Sequence, residues 1–182
     1  MELETNSADE ARAVAVLLHP HPQFGGDRFH PFVDGLFRRL PPAGVTAVRF
    51  DFSSGDLGEA RRVALDAIES AFTDRPSVPV ILAGYSFGAG MAASIDDDRV
   101  AGWYLLAPPA AGLRTATIGD DPRPKRLAVP ALDQFSAPAQ VREAVAGWTA
   151  TTVIELSGAD HFLGGAVDQA VADGLAWIVR AA

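Results

Sequence analysis

The segment Gly84-Tyr85-Ser86-Phe87-Gly88 lies between an apolar run, residues 78–83, and a small-residue stretch, Ala89-Gly90-Met91-Ala92-Ala93. A G-x-S-x-G pattern in that position demands a strand that turns sharply into a helix, with the central residue strained. Glycines two positions either side let strand and helix pass without Cβ collisions. The pattern predicts Ser86 at the carboxyl edge of a sheet, its oxygen exposed near the positive end of a helix. Few folds need such a turn except to present a nucleophile.

The rest of the chain supplies the sheet. Residues 13–18 form a β-branched and aliphatic run suited to a strand buried on both faces. Residues 28–40 carry Phe29, Phe32, Val33, Leu36, Phe37 and Leu40 at helical spacing, and Pro41-Pro42-Ala43-Gly44 stops them. Further strands are expected at 45–50, 78–83, 100–106, 126–131 and 151–156, with helices at 57–72, after Ser86, at 138–148 and at 165–180. Six strands alternating with helices predict an α/β fold, a doubly wound, mostly parallel sheet with helices on both faces. Residues 1–182 read as a single domain, with 1–11 as a flexible extension. The irregular stretch 108–125 follows a strand's carboxyl end, where open α/β sheets bind ligands, but is too short for a lid domain.

Composition narrows the chemistry. The chain has 182 residues, 48% apolar and 21% charged, with a net charge of −8, which argues against nucleic acid or anionic membrane as partner. It has no cysteine, so disulfides, a thiolate nucleophile and Cys-ligated zinc are excluded. The acidic amino terminus is unlike a signal peptide and no run is long enough for a transmembrane helix; a cytoplasmic location is expected.

A serine needs a base, and the base needs an acid to orient it. His161, in Ser157-Gly158-Ala159-Asp160-His161-Phe162 just past the last strand, emerges on the same sheet edge as Ser86. Asp133 follows the strand before it and completes the chain order Ser86, Asp133, His161. Asp133 could instead serve as a helix cap, leaving Asp120 or Asp121 as the acid. The oxyanion donors are expected to be the Phe87 amide and the Gln23 or Phe24 amide, from the loop His19-Pro20-His21-Pro22-Gln23-Phe24-Gly25-Gly26. His21, Tyr85, Phe135 and Phe162 are candidates for the substrate pocket. His19 and His21 have metal-like H-x-H spacing, yet proline follows each and no third ligand is suitably spaced, so no metal or cofactor is expected. His30, at a helix start, reads as structural.

The motifs His19-Pro20-His21-Pro22…Gly25-Gly26, Gly84-Tyr85-Ser86-Phe87-Gly88-Ala89 and Gly158-Ala159-Asp160-His161-Phe162 resemble those of short, lidless α/β-hydrolases akin to dienelactone hydrolases. The resemblance spans about residues 13–177. It implies an α/β-hydrolase fold and a serine hydrolase with Ser86, Asp133 and His161 as nucleophile, acid and base. The segment 50–56 is shorter than the Gly-rich loop usual there, and Leu132-Asp133-Gln134-Phe135 lacks the Gly-Asp-x-Asp pattern of relatives. The family's amino-terminal strands are expected to be missing. Two functions are compatible: hydrolysis of a small acyl ester, or a catalytically silent scaffold that binds a ligand or protein.

Overall fold

A computed structural model describes residues 2–182. Seven strands form one sheet: β1 (Leu3–Asn6), β2 (Ala13–Leu18), β3 (Val45–Phe50), β4 (Val80–Tyr85), β5 (Val100–Leu106), β6 (Lys125–Pro130) and β7 (Thr151–Leu156). Their order is β1-β3-β2-β4-β5-β6-β7, all parallel except β1, which runs antiparallel to β3. Among the described residues five α-helices lie between strands, α1 (Pro31–Arg39), α2 (Leu57–Asp74), α3 (Phe87–Ala93), α4 (Ala110–Leu113) and α5 (Pro138–Ala144), and α6 (Val167–Ala181) follows β7.

The period-two side-chain alternation of the strands divides the core in two. In β2, Val14, Val16 and Leu18 face the α2 and α3 side, while Ala13, Ala15 and Leu17 face the α1 and α6 side. In β5, Trp103 and Leu105 join the first cluster and Tyr104 and Leu106 the second. Both faces of the central strands are therefore dry, as the uninterrupted apolar runs require.

Six parallel strands stand where the sequence pattern puts them to within two residues: β4 covers 80–85 rather than 78–83, and β6 covers 125–130 rather than 126–131. One expectation is corrected. Within residues 1–11, read as a flexible extension, Leu3–Asn6 form the antiparallel edge strand β1. Its four residues carry too little apolar periodicity to announce a strand. They are held by side chains instead: Glu4 accepts from Arg49 Nε at 2.8 Å and from Nη2 at 3.0 Å. Arg49 also donates to Asp34 at 2.8 Å and its guanidinium lies 3.9 Å from the centre of the Phe37 ring. The sheet is accordingly less reduced at its amino-terminal end than the sequence implies.

Register brings the loops to one edge. Leu18 lies opposite Gly84, Tyr85 opposite Leu106, and Pro130 opposite Leu156. The carboxyl ends of β2, β4, β5, β6 and β7 thus finish together, and the loops that follow them converge on one cleft.

Candidate active site

Ser86 stands between β4 and α3 with φ 53° and ψ −112°, a positive-φ conformation strained for any residue but glycine. The turn is enforced by close packing. A Cβ on Gly84 would stand 2.3 Å from the Gly88 carbonyl oxygen, and one on Gly88 would stand 2.2 Å from the Leu18 carbonyl oxygen. Only hydrogen fits at both. The Ser86 amide donates to the Leu106 carbonyl at 2.9 Å, which fastens the elbow to β5.

Ser86 Oγ lies 2.9 Å from His161 Nε2, and His161 Nδ1 lies 2.8 Å from Asp133 Oδ2. Asp133 Oδ1 accepts the amides of Phe135 at 2.8 Å and Ser136 at 2.9 Å. Burial pushes the Asp133 carboxyl up, but its bond to His161 and those two amides together outweigh burial and hold it below the ordinary carboxylate value. The carboxylate is therefore ionised and aimed at the imidazole. Asp133 is not the cap of α5; Ala137 occupies that position. Asp121 is committed elsewhere: Arg123 holds its carboxyl down at about 2.

The backbone around His161 is gripped from two sides. The buried Tyr85 hydroxyl donates to the His161 carbonyl at 2.5 Å, and the His161 amide donates to Gln134 Oε1 at 3.2 Å. The acid and base loops are further tied by the Leu132 amide, which donates to the Ala159 carbonyl at 2.9 Å. Burial, followed by the nearby Asp133 and Asp160, raises the Tyr85 phenol well above its ordinary value, so it stays a donor. Neither side-chain contact is legible in sequence, since Tyr85 and Gln134 stand 76 and 27 positions from His161.

The loop after β2 brings a second correction. Gln23 and Phe24 were the expected oxyanion donors, but both amides are consumed within the turn. Gln23 N–H donates to His21 Nδ1 at 3.2 Å and Phe24 N–H to the His21 carbonyl at 3.1 Å. Among the described residues no acceptor meets the amide of His21 or that of Phe87. The His21 and Phe87 rings are in edge contact at 4.8 Å, so the two free amides belong to adjoining residues. The turn, with prolines at 20 and 22 and Gly25-Gly26 at its end, closes on its own carbonyls: Phe24 and Gly26 donate to the His21 carbonyl and Gly25 to that of Pro22.

His19 is the latch of this loop. Buried, it donates from Nδ1 to the Pro20 carbonyl at 2.5 Å and accepts the Phe52 amide at Nε2, 2.8 Å away. Both ring nitrogens are used, which leaves no lone pair for a metal. His30 caps α1, accepting the Phe32 amide at 3.3 Å, and also lines the cleft.

The cleft above Ser86 has a volume of about 450 Å³, within the range of small-molecule sites. His21, Tyr85, Phe135 and Phe162 all line it, as does Phe87. Pro20, His30, Pro109 and Ser136 are lining residues that sequence reasoning missed; only their distance to Ser86 through the fold reveals them.

Elbow, sheet order and cleft define a chain with the α/β-hydrolase fold. Solved structures agree. A protein of unknown function from Agrobacterium tumefaciens, classed with the α/β-hydrolases, is 25% identical, with 98% of this chain and 89% of that chain covered and a TM-score of 0.85. A serine hydrolase without a lid from Xanthomonas campestris is 21% identical over 98% and 87%, with a TM-score of 0.82. A dienelactone hydrolase from Anabaena variabilis is 17% identical over 99% and 92%, with a TM-score of 0.79. The resemblance to lidless α/β-hydrolases read from the motifs holds at the level of the fold. No family model matches the sequence, and no curated protein does. Among the described residues no helix is long and apolar enough to cross a membrane.

Proposed function

We propose that the protein is a serine hydrolase of small acyl esters. The observation that carries this reading is the unbroken relay from Ser86 Oγ through His161 to the ionised, doubly amide-bonded Asp133. Ser86 Oγ attacks the ester carbonyl carbon as His161 Nε2 takes its proton. Asp133 holds Nδ1–H and stabilises the imidazolium. The free amides of Phe87 and His21 receive the carbonyl oxygen as it gains negative charge, a type of contact worth roughly 10²–10³ in rate per donor. His161 returns the proton to the departing alcohol, then activates the water that releases the acid from Ser86.

The silent-scaffold reading fares worse. The imidazole is aimed at the serine, and from residues 108–125 only Pro109 reaches the cleft wall, so the cleft is open. Reaction with a fluorophosphonate probe and hydrolysis of short-chain aryl esters test the proposal. Ser86→Ala is expected to abolish both; a variant that keeps full labelling and turnover would overturn it.

A further inference from the structure

The cleft's chemistry reaches beyond ester hydrolysis in general. Among the described residues, three of the six exposed large hydrophobic side chains, Phe24 at 85%, Phe135 at 64% and Phe162 at 62%, converge on this one opening. Apolar exposure concentrated at a concave site marks the ligand's own surface. The rings form two connected groups. Phe24, His21 and Phe87 touch in sequence, at 5.0 and 4.8 Å between centres. Phe162, Phe135 and His161 do the same, at 5.8 and 4.7 Å. Ser86 lies between them, joined in the chain to Phe87 and bonded to His161. The nucleophile therefore opens into a slot walled on both sides by rings.

No Arg, Lys, Asp or Glu side chain lines that slot among the described residues. Burial lowers the affinity of His30 for a proton, so it adds no positive charge. Arg114, in the adjoining groove that shares Phe135, faces Glu143 at 3.5 Å. Beyond the lining, the carboxylates Asp133 and Asp160 act on Tyr85 and Asp27 acts on His30. A carboxylate on the substrate would lose water in the slot and meet neither a cation nor an anion-binding group outside the oxyanion position.

We infer that the substrate is an uncharged ester carrying a flat aromatic group, and that esters with a free carboxylate are rejected. This rests on the serine-hydrolase reading above. Edge and face contacts with the two ring groups favour an aryl ring over a saturated ring of equal size.

Two matched series test it without changing the leaving group's acidity greatly. The first is benzyl acetate, cyclohexylmethyl acetate and 4-carboxybenzyl acetate; the second is the methyl esters of phenylacetic, cyclohexylacetic and 4-carboxyphenylacetic acids. In at least one series kcat/KM is expected to favour the aryl over the cyclohexyl ester and to exceed the carboxylate ester by about tenfold or more. Phe24→Arg, on the exposed rim, should raise the carboxylate ester relative to its neutral parent. Loss of either preference in both series, or an unchanged ratio in Phe24→Arg, overturns the inference. Fluorophosphonate labelling of the wild type separates the two levels. Labelling without selectivity sinks the substrate class alone, whereas absence of labelling sinks the serine-hydrolase reading and the inference with it.

Discussion

At the scale of single residues the site is held by groups that never touch a substrate carbonyl. Tyr85 is the clearest. Its hydroxyl joins the residue before the nucleophile to the backbone of the base. Removing that hydroxyl leaves the His161 carbonyl without its donor, at a cost of about 1–2 kcal/mol. Tyr85→Phe should therefore unfold at lower denaturant and show a reduced kcat with KM little changed, because the imidazole loses its fixed height over Ser86. Equal stability and equal kcat to wild type would remove Tyr85 from this role. Ser86→Ala, by contrast, should leave stability near wild type while abolishing labelling, since the strained backbone at φ 53° is imposed by Gly84 and Gly88 and survives without the hydroxyl.

At the scale of elements the loop after β2 depends on one neutral histidine. His19 must keep Nε2 free of a proton to accept the Phe52 amide. Burial lowers its proton affinity below the ordinary value of 6.5, against opposing contributions from the Pro20 carbonyl, Asp51 and Asp27. The folded state thus resists a proton that the unfolded chain accepts. Stability from this group is complete above about pH 6.5 and is lost as pH falls from there through the lower folded value. Between pH 7 and pH 5 the unfolding free energy of wild type should fall by about 1 kcal/mol more than that of His19→Gln. Identical pH responses in thermal or urea unfolding would show that His19 is no latch. The effect reaches function because His19 sets where the His21 amide stands.

At the scale of the whole molecule the far edge of the sheet is fastened by charge. Arg49 is buried between Glu4 of β1 and Asp34 of α1, with Phe37 against its guanidinium. Glu4 itself is 40% exposed, so water screens part of the pairing. Glu4→Gln should cost about 1 kcal/mol, read as a lower urea midpoint with unchanged slope. No loss of stability would mean that β1 is held by its backbone ladder alone.

The elbow, the six parallel strands and the Ser86, Asp133, His161 order were legible in the chain because each rests on local signals. Glycine spacing, apolar runs and turn residues act within a few positions, and parallel strands must all point their ends the same way. β1 was not legible, because four residues with one buried partner charge carry no period to read. That the Gln23 and Phe24 amides are spent within the loop was not legible either, since it follows from how the turn between Pro20 and Gly26 closes on the His21 ring and carbonyl. Tyr85 on His161, Gln134 beneath it and the two walls of rings around Ser86 are contacts between distant loops. Those are decided by strand register and packing, and no local pattern of side chains encodes them.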